Sequence, residues 1–264
     1  MHAFQYHRPS SLKDATATGA KDEAKYLAGG QSLVQAMKLR LAAPTDLIDL
    51  SSLKELSGIK VSGSAVEIGA MTRHAEVAAS AEVKEAIPAL ASLAGMIGDR
   101  QVRHMGTIGG SLANNDPAAD YPAAVLGLGA TITTNKRKIE ADKFFTGLYE
   151  TALHPGELIT SVTFKAPKRA AYMKFKNPAS RFALVGVFVA DFGNGVRVGV
   201  TGAGPAAFRQ TDMEKALAAK FAPESVANVK VKADGLNSDL HASAEYRAHL
   251  VTVMARRAVE AALS

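Results

Sequence analysis

The chain has 264 residues, of which 47% are hydrophobic and 21% charged. That is enough to bury two or three compact cores, and no uninterrupted apolar run reaches the roughly 20 residues of a membrane span. The net charge of +6 is scattered among acidic residues, with Lys136-Arg137-Lys138 the only basic run, so no stripe for nucleic acid is present. There is no cysteine, which excludes a disulfide, a thiolate-ligated cluster or zinc site and a cysteine nucleophile.

Met1 to Pro9 show no apolar signal core behind a basic start and no small-residue cleavage site, and the expected location is the cytoplasm. The pattern then alternates: a strand at Phe4 to Tyr6, a helix after Ser10, a strand at Lys25 to Ala28, a helix from Gln31 to Arg40 and a strand at Asp46 to Leu50. Leu33, Met37 and Leu41 recur at a spacing of four, which places them on one helix face. This part closes near Ser57.

A second part opens with a hairpin, Ile59 to Val61 and Val66 to Ile68, around Ser62-Gly63-Ser64. Helices follow from His74 and from Val83 towards Ile97. After a glycine-rich segment comes a helix for which Asp116 is the expected cap and Pro117 the first residue. Strands at Ala130 to Thr134, Lys138 to Ala141 and Leu158 to Lys165 complete the part, with the basic run read as a solvated hairpin turn. In the third part a long hairpin, Phe182 to Phe192 and Val196 to Thr201, turns at Gly193-Asn194-Gly195. Its first arm is apolar on both faces and is expected to be a central strand covered on both sides. A last helix runs from about Ser243 to Leu263 with Tyr246, Leu250, Val253, Met254, Ala258 and Ala261 at helical spacing.

Two glycine-rich segments carry the chemistry. Ala28-Gly29-Gly30-Gln31-Ser32-Leu33 joins a predicted strand to a helix, where paired glycines permit positive φ angles and expose successive amides as a concave nest. The helix start behind it adds unpaired donors, so the site suits a phosphate. Thr107-Ile108-Gly109-Gly110-Ser111 has the same make-up, paired glycines flanked by hydroxyls and followed by a helix start, and two such segments favour a clamp on a diphosphate. Competing motifs fail: in Gly202-Ala203-Gly204-Pro205 the proline removes an amide donor that a dinucleotide fingerprint needs, and there is no Walker lysine, no Gly-x-Ser-x-Gly elbow and no His-Glu-x-x-His. The seven histidines lie far apart in sequence, which gives no metal-binding spacing.

Together these segments resemble the signature of the FAD-binding medium subunits of molybdenum hydroxylases, the family of the aerobic carbon monoxide dehydrogenase medium chain and the xanthine dehydrogenase FAD domain. Gln101-Val102-Arg103, Asp116-Pro117-Ala118-Ala119-Asp120, Pro178-Ala179-Ser180-Arg181-Phe182-Ala183 and His241-Ala242-Ser243-Ala244-Glu245-Tyr246-Arg247 extend the resemblance, in the family's order, over nearly the whole chain.

The resemblance implies an α+β protein: a two-lobed FAD-binding fold of the PCMH/vanillyl-alcohol-oxidase type, with lobe 1 over residues 1–57 and lobe 2 over 58–168. A C-terminal α+β domain with antiparallel sheet and helices occupies 169–264. It implies FAD as cofactor, held through Ala28, Gly29, Gly30, Gln31, Ser32 and Leu33 and through Thr107, Ile108, Gly109, Gly110 and Ser111. Asp120 matches the family aspartate that contacts the flavin nucleotide. Ile97, Ile159 and Lys176 match positions that approach the flavin, and Phe182 matches an aromatic position over one flavin face; being Phe and not Tyr, it lacks a phenolic hydrogen bond. Core packing for Phe182 and a plain helix start for His241 to Arg247, with Ser243 as cap, are the alternative readings.

The implied function is electron transfer, with no catalytic side chain and no metal on this chain. The molybdenum cofactor is expected on a large partner subunit and [2Fe-2S] clusters on a small one, the trimer pairing into a heterohexamer. The competing readings are a stand-alone FAD oxidoreductase of the related fold and a nucleotide-binding interaction protein that has lost the flavin.

Overall fold

The computed structural model describes residues 1–264. Strands β1 (Gln5–His7), β2 (Lys25–Leu27) and β3 (Asp46–Asp49), with helices α1 (Leu12–Gly19) and α2 (Leu33–Lys38), form a small βαβ lobe. Its sheet has the order β1-β3-β2 and is parallel throughout, as the helical crossovers require. Ala15, Ile48, Leu50, Leu53, Leu56 and Leu158 make its core. Helix α2 is shorter than the apolar spacing suggested. It stops at Lys38, Arg40 takes a left-handed φ of 61°, and Leu41 is thrown out to 80% exposure instead of joining Met37 on the buried face.

The second lobe begins with the hairpin β4 (Ile59–Ser62) and β5 (Ala65–Gly69) and continues through a run of short helices, α3 (His74–Ala79), α4 (Ala81–Ala86), α5 (Pro88–Gly95), α6 (Arg100–Met105), α7 (Ile108–Asn114) and α8 (Tyr121–Gly127). Strands β6 (Thr131–Thr134), β7 (Lys138–Glu140), the small pair β8 (Phe145–Gly147) and β9 (Glu150–Thr151), and β10 (Ile159–Lys165) close it. The main sheet, β4-β5-β10-β6-β7, is antiparallel at every pairing, and its inner face packs on α5, α7 and α8 through Val66, Ile68, Leu90, Leu112, Ile132, Val162 and Phe164.

One local expectation fails here. Asp116 caps no helix: its Oδ1 accepts from the Ala118 amide in a tight turn, and α8 starts only at Tyr121. The basic run 136–138 is exposed at the turn between β6 and β7, as expected, and from there Arg137 donates to Glu157 and to the Ala152 carbonyl. Burial opposes ionisation of Glu157, but hydrogen bonds from Arg137, the His154 amide and Thr134 outweigh it and pull the carboxyl down to about 2.

The C-terminal domain consists of strands β11 (Arg169–Lys176), β12 (Ala183–Asp191), β13 (Val196–Thr201) and β14 (Phe208–Arg209), helices α9 (Thr211–Ala219) and α10 (Pro223–Ala227), and the long α11 (Ala244–Leu263). The sheet order β11-β12-β13-β14 makes β12 internal, and all of it is buried. Alternate residues serve opposite faces. Phe188 and Ala190 join the core of the second lobe, whereas Val185, Val187 and Val189 pack with Leu250, Val251, Met254 and Ala258 of α11. Strand β11, unforeseen in the sequence, pairs with β12 along its whole length.

Candidate functional site

The first glycine segment follows β2 and turns into α2. Gly30 has φ +71°, a conformation that disfavours any side chain. The amides of Gly29, Gly30, Gln31 and Ser32 meet no acceptor within the protein. Because α2 has only six residues, these donors rather than a long helix dipole define the site.

Gly29 lies directly on the second segment: a Cβ there would run into the Met105 carbonyl oxygen and stand 2.7 Å from the Gly106 Cα. A Cβ on Gly110 would lie 3.5 Å from the Ala28 methyl. The two glycine segments, about 75 residues apart in sequence, therefore touch through their backbones.

The second segment works differently from the expected nest. Gly109 and Gly110 are helical residues in the first turn of α7, with Thr107 as cap. The Ile108 amide donates to the Thr72 carbonyl, the Gly109 amide to the Ala70 carbonyl, and the Gly110 amide to the Thr107 hydroxyl at 3.1 Å. Those donors are engaged by the fold, and neither glycine has a positive φ. Gly109 is required by packing instead, for its Cβ would sit 2.6 Å from the Ala70 methyl. What this segment presents to the first is a side-chain-free helix shoulder and the Ser111 hydroxyl, which bonds to nothing within the chain.

Beneath the junction lies His74, which sequence reasoning did not single out. A Cβ on Gly106 would lie 2.5 Å from its Nε2, and its ring rests 5.4 Å from that of Tyr121. His74 Nδ1 and the Tyr121 hydroxyl are both buried without a partner. Burial, helped by the charge of Arg103, pushes the His74 imidazole down to about 4, so it is neutral at ordinary pH.

Asp120 is 4% exposed and fully engaged: Tyr172 donates to Oδ1 at 2.5 Å and Lys174 to Oδ2 at 2.9 Å. Lys174 is equally buried and also donates to the Met96 carbonyl. Burial pushes the Asp120 carboxyl up against the opposing pull of Lys174. The aspartate thus ties the second lobe to β11 from inside. Lys176, two residues along, is exposed at the end of β11 beside a bulge, close enough for its charge to act on Asp120. Lys174 carried no local signal, because its partner is 54 residues away.

The remaining expected residues divide. Phe182 is half exposed and lines a cavity of about 260 Å³ with Asp116, Pro117, Ala118, Asn177 and Arg247. Helix α7 separates this cavity from the glycine junction by roughly 10 Å, its seven residues rising 1.5 Å each. Ile97 is half-buried against the second-lobe core, its carbonyl accepting from Arg103. Ile159 is inside that core, 3% exposed at the start of β10. The structure therefore brings the two glycine segments together at one end of α7 and Phe182 to the other, and leaves Ile159 in the packing.

This arrangement fits a flavin dinucleotide. Unpartnered main-chain donors at a place where two backbones come together without side chains suit a diphosphate, and a cavity walled by an exposed aromatic ring suits a planar group. No group of His, Asp and Glu in the chain is placed to hold a metal ion.

A family model described as the FAD binding domain in molybdopterin dehydrogenase matches residues 2–167. The carbon monoxide dehydrogenase medium chain of Hydrogenophaga pseudoflava is 36% identical, the match covering 98% of this chain and 96% of that one. The nicotine 6-hydroxylase medium subunit of Paenarthrobacter nicotinovorans is 35% identical over 97% of this chain and 96% of its own. A solved structure of carbon monoxide dehydrogenase from Hydrogenophaga pseudoflava, in a form lacking the Mo-pyranopterin moiety of the molybdenum cofactor, superposes with a TM-score of 0.90 at 36% identity, covering 98% of this chain and 97% of that chain.

Proposed function

We propose, since the chain belongs to the family of FAD-binding domains of molybdopterin dehydrogenases, that it is the flavin subunit through which electrons leave a molybdenum hydroxylase for an external acceptor. The observation that carries the reading is the backbone contact of Gly29 with Met105 and Gly106, beside the unpartnered amides of Gly29 to Ser32. Bound FAD supplies the ability to accept electrons singly and to release them singly or in pairs. The chain's own residues bind and orient. Gly29 to Leu33 supply amides to the diphosphate, the Gly109-Gly110 shoulder with Ser111 walls the other side, and Phe182 closes the cavity beyond α7. Asp120 acts from behind, fixing with Lys174 how the second lobe meets the C-terminal sheet. Lys176 brings positive charge near that seam.

With no cysteine, the chain itself cannot ligate an iron–sulfur cluster through thiolates, so the donor cluster belongs to a partner subunit and the molybdenum cofactor to another. The matched relatives are described as medium chains or subunits, which supports further partner chains, and the assembly proposed is a cytoplasmic heterotrimer that pairs into a heterohexamer. No helix is long and apolar enough to cross a membrane. The residue ranges 1–57, 58–168 and 169–264 are proposed as two FAD-binding lobes and the C-terminal domain.

Purification of the chain with its native neighbours, followed by a visible spectrum and metal analysis, tests the reading. Stoichiometric FAD on this chain with iron and molybdenum on the others is the expected result. Complete substrate turnover by the isolated chain would overturn the subunit assignment.

A further inference from the structure

The β12–β13 ladder ends at the pair Gly186 and Thr201, and beyond it the two strands part. Past that point the Leu184 and Gly202 carbonyls need a donor from outside the ladder. It comes from Arg247, in the second turn of α11 and 4% exposed, whose Nη1 donates to the Leu184 oxygen at 2.8 Å and the Gly202 oxygen at 2.9 Å. Its Nη2 donates to Asp239 at 2.7 Å. A buried guanidinium is costly to keep, and the part of this one that is satisfied by main chain lies on the two strand ends that face the cavity.

Both strand ends lead to the proposed flavin site. Leu184 is two residues beyond Phe182. Gly202 donates its amide to the Pro117 carbonyl at 2.8 Å, and the neighbouring Thr201 hydroxyl donates to Pro117 at 3.1 Å and to Ala119 at 2.6 Å. Pro117 to Ala119 connect the end of α7 to Asp120. Gly202 has φ +82°, and a Cβ there would stand 2.6 Å from the Ala183 oxygen, so the two strand ends are pressed together.

We infer that Arg247 is a positioning residue for the flavin, a guanidinium that holds the Phe182 strand end and the Pro117 to Asp120 segment at one fixed separation. The inference rests on the flavin-subunit reading, and it assigns to α11 a role beyond covering the sheet. Lysine at 247 keeps the charge but loses the planar fork that reaches two carbonyls and a carboxylate at once. Thr201 to valine cuts the same linkage at its far end with little change of shape.

The test compares Arg247→Lys, Thr201→Val and Ser243→Ala in the full chain, reading FAD dissociation, visible circular dichroism of bound flavin and thermal melting. Ser243 accepts from the Tyr246 amide as the cap of the same helix, so its loss weakens α11 without touching the linkage. The expected result is a roughly tenfold rise in FAD dissociation and an altered flavin dichroism in both Arg247→Lys and Thr201→Val, against a lower melting point alone in Ser243→Ala. If Arg247→Lys fails to fold, Thr201→Val and Asp239→Asn carry the same expectation. Wild-type flavin affinity and dichroism in these linkage variants, with only melting changed, would overturn the inference. Failure of the wild-type chain to bind FAD at all would instead strike the underlying reading.

Discussion

The two glycine segments look alike in sequence and are built on opposite principles. In Gly29-Gly30 the glycines free the main chain: Gly30 takes a left-handed φ, and the amides around it have no acceptor in the protein. In Gly109-Gly110 the φ values are helical, the amides are already engaged, and the absence of a side chain serves close packing on Ala70 and on the first segment. One segment offers donors and the other offers room. A paired glycine before a helix therefore does not by itself say which of the two roles it plays; the acceptors around it do.

That contrast can be broken most sharply at Gly109. Gly109→Ala should destabilise the protein by about 3 kcal/mol, the upper range for overpacking a tight contact, with FAD affinity falling only as far as folding does. Chemical denaturation with and without FAD measures it, and a fully stable variant that has lost FAD would mean that Gly109 faces the ligand after all.

His74, beneath the junction, gives a pH-dependent version of the comparison. Its ordinary value of 6.5 falls to about 4 in the folded chain. The unfolded chain therefore binds the extra proton first: the stability due to neutral His74 is complete above pH 6.5 and is lost as pH falls from there towards 4. The loss amounts to at most about 3 kcal/mol. Denaturation midpoints across that window should flatten in His74→Phe, and an equal slope in both proteins would remove His74 from the account.

Gly110→Ala sharpens the comparison from the other side. Its Cβ would stand 2.9 Å from the capping Thr107 hydroxyl, which must shift, and 3.5 Å from the Ala28 methyl. Some stability should be lost through the cap, less than in Gly109→Ala, where the contact is with the Ala70 backbone. FAD should bind about tenfold more weakly, equivalent to about 1.4 kcal/mol, as measured by flavin fluorescence titration. Equal losses of stability and affinity in the two alanine variants would erase the distinction drawn between the glycines.

The smallest effect is expected far from both segments. Ser243→Ala should cost about 1 kcal/mol through loss of its cap on α11 and leave FAD affinity intact, read by melting and titration together.

Much of this was legible in the chain because it is local. The strand-to-helix turn at Gly29-Gly30, the hairpin at Gly63, the doubly apolar β12 and the capped α11 are each set by a few neighbouring residues. The order of the motifs also carried the family and the α+β class. What stayed hidden depends on distant partners. Nothing near Lys174 announces its pairing with Asp120, and Arg169 to Lys176 show no clean alternation because β11 is contacted from both faces. The Ile108 and Gly109 amides could not be known to be engaged without Thr72 and Ala70 beside them. Leu41 was misplaced for a related reason: a spacing of four was present, but the chain leaves the helix at Arg40 before the last residue can use it.

Leu158 and Ile159 are adjacent in sequence yet rooted in different cores, the first in the lobe of β1 to β3 and the second beneath the larger sheet. Close by, the Tyr26 hydroxyl reaches the Gly156 carbonyl at 2.9 Å. This shared strand start and the Tyr26–Gly156 hydrogen bond join the lobe that carries Gly29 to the lobe that carries Gly106. A dinucleotide site built across the two segments is thereby expected to be largely preformed, which lowers the ordering cost of binding.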